Sequence, residues 1–178
     1  GAEMDAFSGS VIRNPDFYFR PGLTYTSYTN LGFAPRIMPK GTVFSVAGMG
    51  IHGVGLAEMM VLNSTAFQYL VYLTADHRKW EAGVIQRTPF PRMSETINQE
   101  LATLASRAWS LKRTLDTIEE ASHAFLLPAA LRDRLGPFDP AAIEAELSRI
   151  QAEIDAIAFD LYGFAEADRQ AAQSQPGG

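Results

Sequence analysis

The chain has 178 residues, 15 Lys+Arg against 20 Asp+Glu for a formal net charge of −5, and no cysteine. That length accommodates one domain, or one domain with an appended helical hairpin, around a real core. The absence of cysteine excludes a disulfide framework and thiolate metal sites, and no apolar run reaches the roughly 18 residues of a membrane span.

The charge is uneven. Residues 1–93 hold eight Lys+Arg against six Asp+Glu, a net of +2, and residues 94–178 hold seven against fourteen, a net of −7. Net acidity argues against nucleic acid as a partner for the whole chain, yet leaves room for a basic surface in its first half. No basic segment leads into an apolar one as in a secretory leader, and with no cysteine a cytoplasmic setting is the expectation.

Residues 1–16 read as a loose leader ending in the turn-favouring Asn14-Pro15-Asp16, because the residue before proline is pushed out of the helical region. Phe17–Arg20 and Leu23–Tyr28 carry the aromatic and β-branched residues of strands, with Pro21-Gly22 as the turn between them. Phe33–Met38 places Arg36 among apolar neighbours, and Pro39-Lys40-Gly41 turns the chain. Thr42–Ala47 reads as a buried strand, and Gly48, Gly50, Gly53 and Gly55 as tight turns. Leu56–Leu73 is helical, with a break at Asn63-Ser64. Thr74–Gly83 is a polar connector holding the basic cluster His77-Arg78-Lys79. Val84–Gln86 reads as a last short strand, and Pro89 and Pro91 form a rigid corner that serves as the domain boundary.

Beyond that corner the periodicity changes. Thr96 with Gln99 has capping-box spacing. Ile97, Leu101, Leu104, Ala108, Leu111, Leu115, Ile118, Ser122 and Phe125 alternate in steps of four and three, an a/d seam of about four heptads. Pro128 ends it. Asp139-Pro140 is a cap followed by proline at the first helical position, and Ile143, Leu147, Ile150, Ile154, Ile157 and Leu161 repeat the seam until Gly163. Two facing seams predict an antiparallel helical hairpin, and the same seams extended to a second helix pair predict a homodimer through the helices. The expected fold is therefore α+β: a small mixed β-rich head over 17–93, a long hairpin over 94–168, and a disordered tail over 169–178.

The succession YFRPGLTYT, APRIMPKGTVFSVAGMGI, LNSTAFQYLV and GVIQRTPFP resembles the C-terminal target-recognition region of bacterial adenine-specific DNA methyltransferases, found in fused type II restriction-modification enzymes and in BREX-type phage defence. The closing stretch, Glu153-Ile154-Asp155 through Asp160-Leu161-Tyr162-Gly163-Phe164, is similar to the last helix of the same proteins. The resemblance covers about residues 17–168. It implies that the head reads double-stranded DNA and that the hairpin is a spacer. It also implies that the catalytic domain, with its S-adenosylmethionine, belongs to another part of the parent chain, which has room for a nuclease as well. On this reading the fragment has no catalytic residue, no metal ligand and no cofactor of its own. Its partners are the duplex and the catalytic domain.

The candidate contacts are distributed. Arg20, Arg36, Lys40, Arg78 and Lys79 can neutralise phosphates, and arginine can grip guanine with two hydrogen bonds. Thr24, Thr26 and Ser27 offer small donors, and Tyr25 and Tyr28 aromatic surface, on one strand. In the competing reading Tyr25 and its alternates pack inward and the basic residues are solvated surface.

Other patterns point elsewhere. Asn14-Pro15-Asp16-Phe17 is one proline short of the tetrapeptide with which amino-methyltransferases grip a flipped adenine. Gly48-Met49-Gly50-Ile51-His52-Gly53 matches G-x-G-x-x-G, with Asp76 placed as a ribose acid, which would make the chain an NAD(P)-binding enzyme. His52, His77 and His123 stand in separate segments without metal-ligand spacing. Asn63-Ser64-Thr65 is a glycosylation triplet in an apolar helical stretch. A protein-interaction module using the hairpin, without DNA binding, is the alternative from a different class.

Overall fold

In the computed structural model, which describes residues 14–76 and 78–174, the alternation of the first strand sets the architecture. β1 (Gly22–Thr26) buries Leu23 and Tyr25, and just beyond its end Ser27, while Thr24 and Thr26 between them stay half-exposed on the other face. It is the central strand of a three-stranded antiparallel sheet in the order β2-β1-β3, flanked by β2 (Arg36–Met38) and β3 (Gly48–Ile51). Leu23 lies opposite Ile37 and Ile51, and Thr24 opposite Arg36 and Gly50. Cross-strand partners share a face, so the inner face carries Leu23, Tyr25, Ile37, Met49 and Ile51. The outer face carries Thr24, Thr26, Arg36, Gly48 and Gly50.

Six helices follow: α1 (Leu56–Leu62), α2 (Thr65–Tyr72), α3 (Ala82–Arg87), α4 (Glu95–Leu115), α5 (Pro140–Tyr162) and α6 (Glu166–Gln173). The chain is thus mixed α+β, as expected. Among the described residues no helix is long and apolar enough to cross a membrane. The break between α1 and α2 falls at Asn63-Ser64. The Ser64 hydroxyl accepts from the Phe67 amide at 3.3 Å and donates to the Val61 carbonyl at 2.7 Å, while Asn63 Nδ2 donates to the Pro35 and Met59 carbonyls. Asp139 caps α5 through the Ala142 amide, and Gly163, at φ 66°, closes it in the left-handed conformation that glycine adopts without a Cβ penalty.

Several local expectations are corrected. Phe17–Arg20 is not a strand: a single 3₁₀ turn (Pro15–Phe17) follows Asn14, and Phe19 takes φ 63°. Its aromatics stack locally instead, Phe17 on His52 and Tyr18 on Phe44. Thr42–Ala47 is a loop with Val43 and Val46 exposed, and the strand comes after it, in the glycine run. Both flanks of β1 are taken by β2 and β3, so the chain joining those two strands has to pass from one sheet edge to the other outside the ladder. Val84–Gln86 lies in helix α3, where Val84 and Ile85 pack on the core, and the Thr88 hydroxyl bonds back to the Val84 carbonyl.

The long helix is capped by Ser94, whose hydroxyl accepts from the Ile97 amide, and not by Thr96. It stops at Leu115 and tightens into a 3₁₀ turn (Asp116–Ile118), so Ser122 and Phe125 never join the seam. Asp116, Glu119 and Glu120 would crowd the negative end of a longer helix, which opposes the dipole. Thr117 anchors the stop: its carbonyl accepts from Leu126 N at 2.8 Å and its hydroxyl from Arg132 Nε at 3.1 Å. A further 3₁₀ segment (Ala129–Leu135) leads to α5. Residues 169–174 of the expected tail belong to α6 and the turn after it. Arg169 pairs with Asp160 at 2.6 Å, and Ala172 is buried against Ala66, Ala158 and Phe159. Residues 1–13, His77 and residues 175–178, which include most of the expected leader and the end of the expected tail, lie outside the described residues.

α4 and α5 pack antiparallel, with Arg107 on Glu146 at 2.7 Å, and the Tyr162 hydroxyl at the end of α5 donates to the Pro89 carbonyl at 2.9 Å. The apolar core runs from the inner sheet face (Leu23, Tyr25) through Phe33, Val61, Phe67 and Trp80 to Leu101 and Ala105 of α4 and Ile150 and Ile154 of α5. The core therefore crosses the Pro89–Pro91 corner where the sequence places a domain boundary.

Burial raises the hydroxyls of Tyr25 and Tyr162 above the ordinary tyrosine value, so the folded chain keeps both protons where the unfolded chain has released them. The stability they contribute is complete below about pH 10 and falls as pH rises above it. Tyr162→Phe should cost about 0.5–1 kcal/mol at neutral pH through the lost hydrogen bond, and should make the alkaline decline shallower, as urea titrations at pH 8 and pH 10.5 would show.

Candidate nucleic-acid interface

The outer sheet face is built by the same alternation that builds the core. With Leu23, Tyr25 and Ser27 committed inward, Thr24 and Thr26 must point outward, and register sets Arg36 beside them. Arg36 is exposed, and its guanidinium donates to the Thr26 hydroxyl at 3.3 Å. On the other side, a Cβ at Gly48 would meet only the Thr24 hydroxyl, at 3.6 Å, so this strand leaves the threonines uncrowded. Gly50 has a different task. Its Cβ would sit 2.9 Å from His52 Nε2 and 3.2 Å from the Phe44 ring, so the missing side chain lets Phe44 and His52 close over the sheet. The open part of the face is bounded by that aromatic roof on one flank and by Arg36 on the other.

The remaining candidates gather at the two ends of β1. At its start, backbone hydrogen bonds from Phe19 N to Thr42 O (2.9 Å) and from Gly41 N to Phe19 O (3.1 Å) lay the turn of Arg20 beside that of Lys40. Both are exposed, and the Arg20 guanidinium lies 5.8 Å from the Phe17 ring centre. At the far end Tyr28 bridges to Lys79, whose ammonium lies 5.8 Å from the tyrosine ring centre, and Thr29 N donates to the Arg78 carbonyl. Lys79 also pairs with Glu81 at 2.5 Å. The hydrogen bond and charge of Glu81 raise the lysine above its usual value, and Lys79 lowers Glu81 in turn, so part of this cation is already neutralised. From Gly22 to Tyr28 at about 3.4 Å per residue, the five cations border a surface about 20 Å long.

Ser27 does not belong to this surface. It is buried, and its hydroxyl donates to the Val46 carbonyl at 2.6 Å. Tyr25 is likewise inward, its hydroxyl on Met49 Sδ at 3.1 Å. The dinucleotide fingerprint is not in its usual setting. Gly48 and Gly50 lie inside an antiparallel edge strand and not in the turn before a helix, where a pyrophosphate would need them, and α1 starts only at Leu56. Asn14 and Phe17 instead help line an aromatic cavity of about 680 Å³ beside β3, with Phe44, His52, Phe67 and Phe90.

A second hollow of about 680 Å³ lies where β2 meets the helices, and the sequence reading missed it. Ile37, Met59, Met60, Ala105, Ile150 and Ile154 floor it, and Arg36, Trp109 and Lys112 line it as well. Its one sequence signal is a tryptophan off the apolar seam of α4, at Trp109 beside seam residue Ala108.

No protein-family model matches the chain. Over an alignment 108 residues long that covers 57% of the chain, it is 27% identical to the adenine-specific methyltransferase BrxX of Escherichia coli O9:H4 (strain HS). The match covers 8% of that protein's length. The chain is similar to a small part of a methyltransferase. The similarity is to an adenine-specific enzyme of the kind the motifs resemble, and the match spans only a small fraction of its length.

Proposed function

We propose that this chain is a duplex-DNA recognition module of an adenine-specific methyltransferase that acts in restriction-modification or phage defence. Supporting this reading is the outer sheet face, where Thr24, Thr26 and Arg36 stand together on a rigid strand pair bordered by Arg20, Lys40, Arg78 and Lys79. Arg36 is free to turn from Thr26 to a guanine edge, the threonine hydroxyls can donate to or accept from bases, and the end cations take phosphates that set the register. The transfer chemistry, with S-adenosylmethionine and the extruded adenine, belongs to a separate catalytic domain.

The test is fluorescence anisotropy of labelled duplex DNA at several salt concentrations. Binding should weaken steeply as salt rises, and Arg36→Ala should reduce the slope of log K against log salt by about 0.9 if it holds a phosphate. If instead it reads a base, Arg36→Ala should relax the preference at one position and cost about 1–3 kcal/mol there. Absence of binding at low salt, or binding indifferent to salt, would sink the proposal.

A further inference from the structure

We infer that the DNA-contacting surface does not end at Arg36 but continues across the neighbouring hollow onto the last turns of α4, where Trp109, Lys112 and Arg113 take the sugar-phosphate backbone. The inference rests on the proposed function and adds a second contact region to it, on a helix otherwise read as a spacer.

Arg36 belongs to both surfaces. It stands on the outer sheet face beside Thr24 and Thr26, and it lines the hollow together with Trp109 and Lys112. The residues lining this hollow include two cations and no carboxylate, although they are drawn largely from the acidic half of the chain. On the long helices themselves, Arg107 and Arg149 both pair with Glu146, while Arg132 and Arg134 of the connector, like Lys112 and Arg113, form no ion pair among the described residues. Asp116, in the 3₁₀ turn that follows α4, shares a small adjoining hollow with Lys112 and Arg113 without pairing.

Cations in the last turn of a helix are favoured by its dipole, which accounts for Lys112 and Arg113 as residue types. It does not account for Trp109. This tryptophan is 51% exposed, the Arg113 guanidinium lies 5.5 Å from its ring centre, and its indole N–H makes no hydrogen bond among the described residues. An exposed indole donor beside two cations that form no ion pair among the described residues, lining one hollow with Arg36, is chemistry for a phosphodiester: two charges to neutralise it and a neutral donor to orient it. The apolar floor lies beneath this rim, and a backbone laid across the rim leaves it uncontacted. An acidic amphipathic peptide would instead enter the floor, and is the competing occupant.

The experiment uses the full chain and a labelled duplex across a salt series. Lys112→Ala/Arg113→Ala, two exposed substitutions, should reduce the log–log salt slope by about 1.8, or about 0.9 for each phosphate no longer neutralised. Trp109→Phe, which keeps the ring and removes the N–H, should weaken binding as Trp109→Ala does. A second readout needs no substitution. Trp80 is 3% exposed, so acrylamide quenching reports Trp109, and saturating duplex should shield it. If the duplex binds, Arg36→Ala lowers the slope, and Lys112→Ala/Arg113→Ala with Trp109 quenching stay unchanged, this inference is overturned while the sheet-face reading stands. If the duplex does not bind at all, both fall. Shielding of Trp109 by an acidic helical peptide but not by duplex would also overturn it.

Discussion

Phe67→Ala should lower the stability of the chain by about 3 kcal/mol, read as a fall in the urea midpoint with an unchanged m-value. Phe67 is 1% exposed at the start of α2 and links two parts of the core. Its ring lies 6.0 Å from Phe33, which is itself 4.9 Å from Tyr25 on β1, and 6.3 Å from Phe90 within the proline corner. Removing it takes away the transfer energy of a buried aromatic and leaves a void that the capped, buried helix start cannot collapse to fill. The side chain also borders the aromatic cavity, so one side of the new void opens into existing space. That places the loss toward the lower end of the about 3–5 kcal/mol usual for such truncations. Against total stabilities of about 5–15 kcal/mol, it is a large fraction. A loss below about 1 kcal/mol would mean that α2 does not dock as described.

Leu101→Ala should have a comparable effect, about 2–4 kcal/mol, and its pattern matters as much as its size. Leu101 is fully buried in α4, within the one cluster that joins the sheet, α1 and α5. If the core is continuous across residue 93, truncating a residue on its helical side must loosen the sheet as well. Unfolding followed by far-ultraviolet dichroism, dominated by the helices, and, in a Trp109→Phe background, by fluorescence of Trp80, buried beside the sheet, should then give coincident transitions, displaced together in the variant. Separate transitions, with only the helical signal shifted, would show a head and a hairpin folding as independent units.

Where the sequence reading succeeded, the signal was local. Alternation along Leu23–Tyr28 specifies a strand with one buried face, because successive side chains point to opposite sides. Asp139-Pro140 and Gly163 mark the limits of α5 by satisfying or releasing backbone groups at the helix ends, and Ser64 breaks α1 from α2 in the same way. Where it failed, the outcome depended on partners far along the chain. Thr42–Ala47 has strand propensity, but β1 had no free flank for it, and the ladder went to Gly48–Ile51, whose glycines let Phe44 and His52 close over the sheet. Val84–Gln86 became helical against the core, where β-branched residues serve either state. The heptad pattern continued past Leu115 on paper, while Thr117 and its distant partners stopped the helix.

The candidate surface divides along the same line. The sequence by itself determined that the first half could carry a basic surface, that Thr24 and Thr26 would share a face, and that two long capped helices would pair, since charge, period and caps are properties of neighbouring residues. Only the tertiary structure decided that Ser27 turns inward to Val46, that Arg36 stands beside Thr26, and that Trp109 and Lys112 meet Arg36 across one hollow. Those placements depend on sheet register and on how α4 packs against α1, and which distant segments line one hollow is fixed by the packing of the whole core, not by the residues on either side of each.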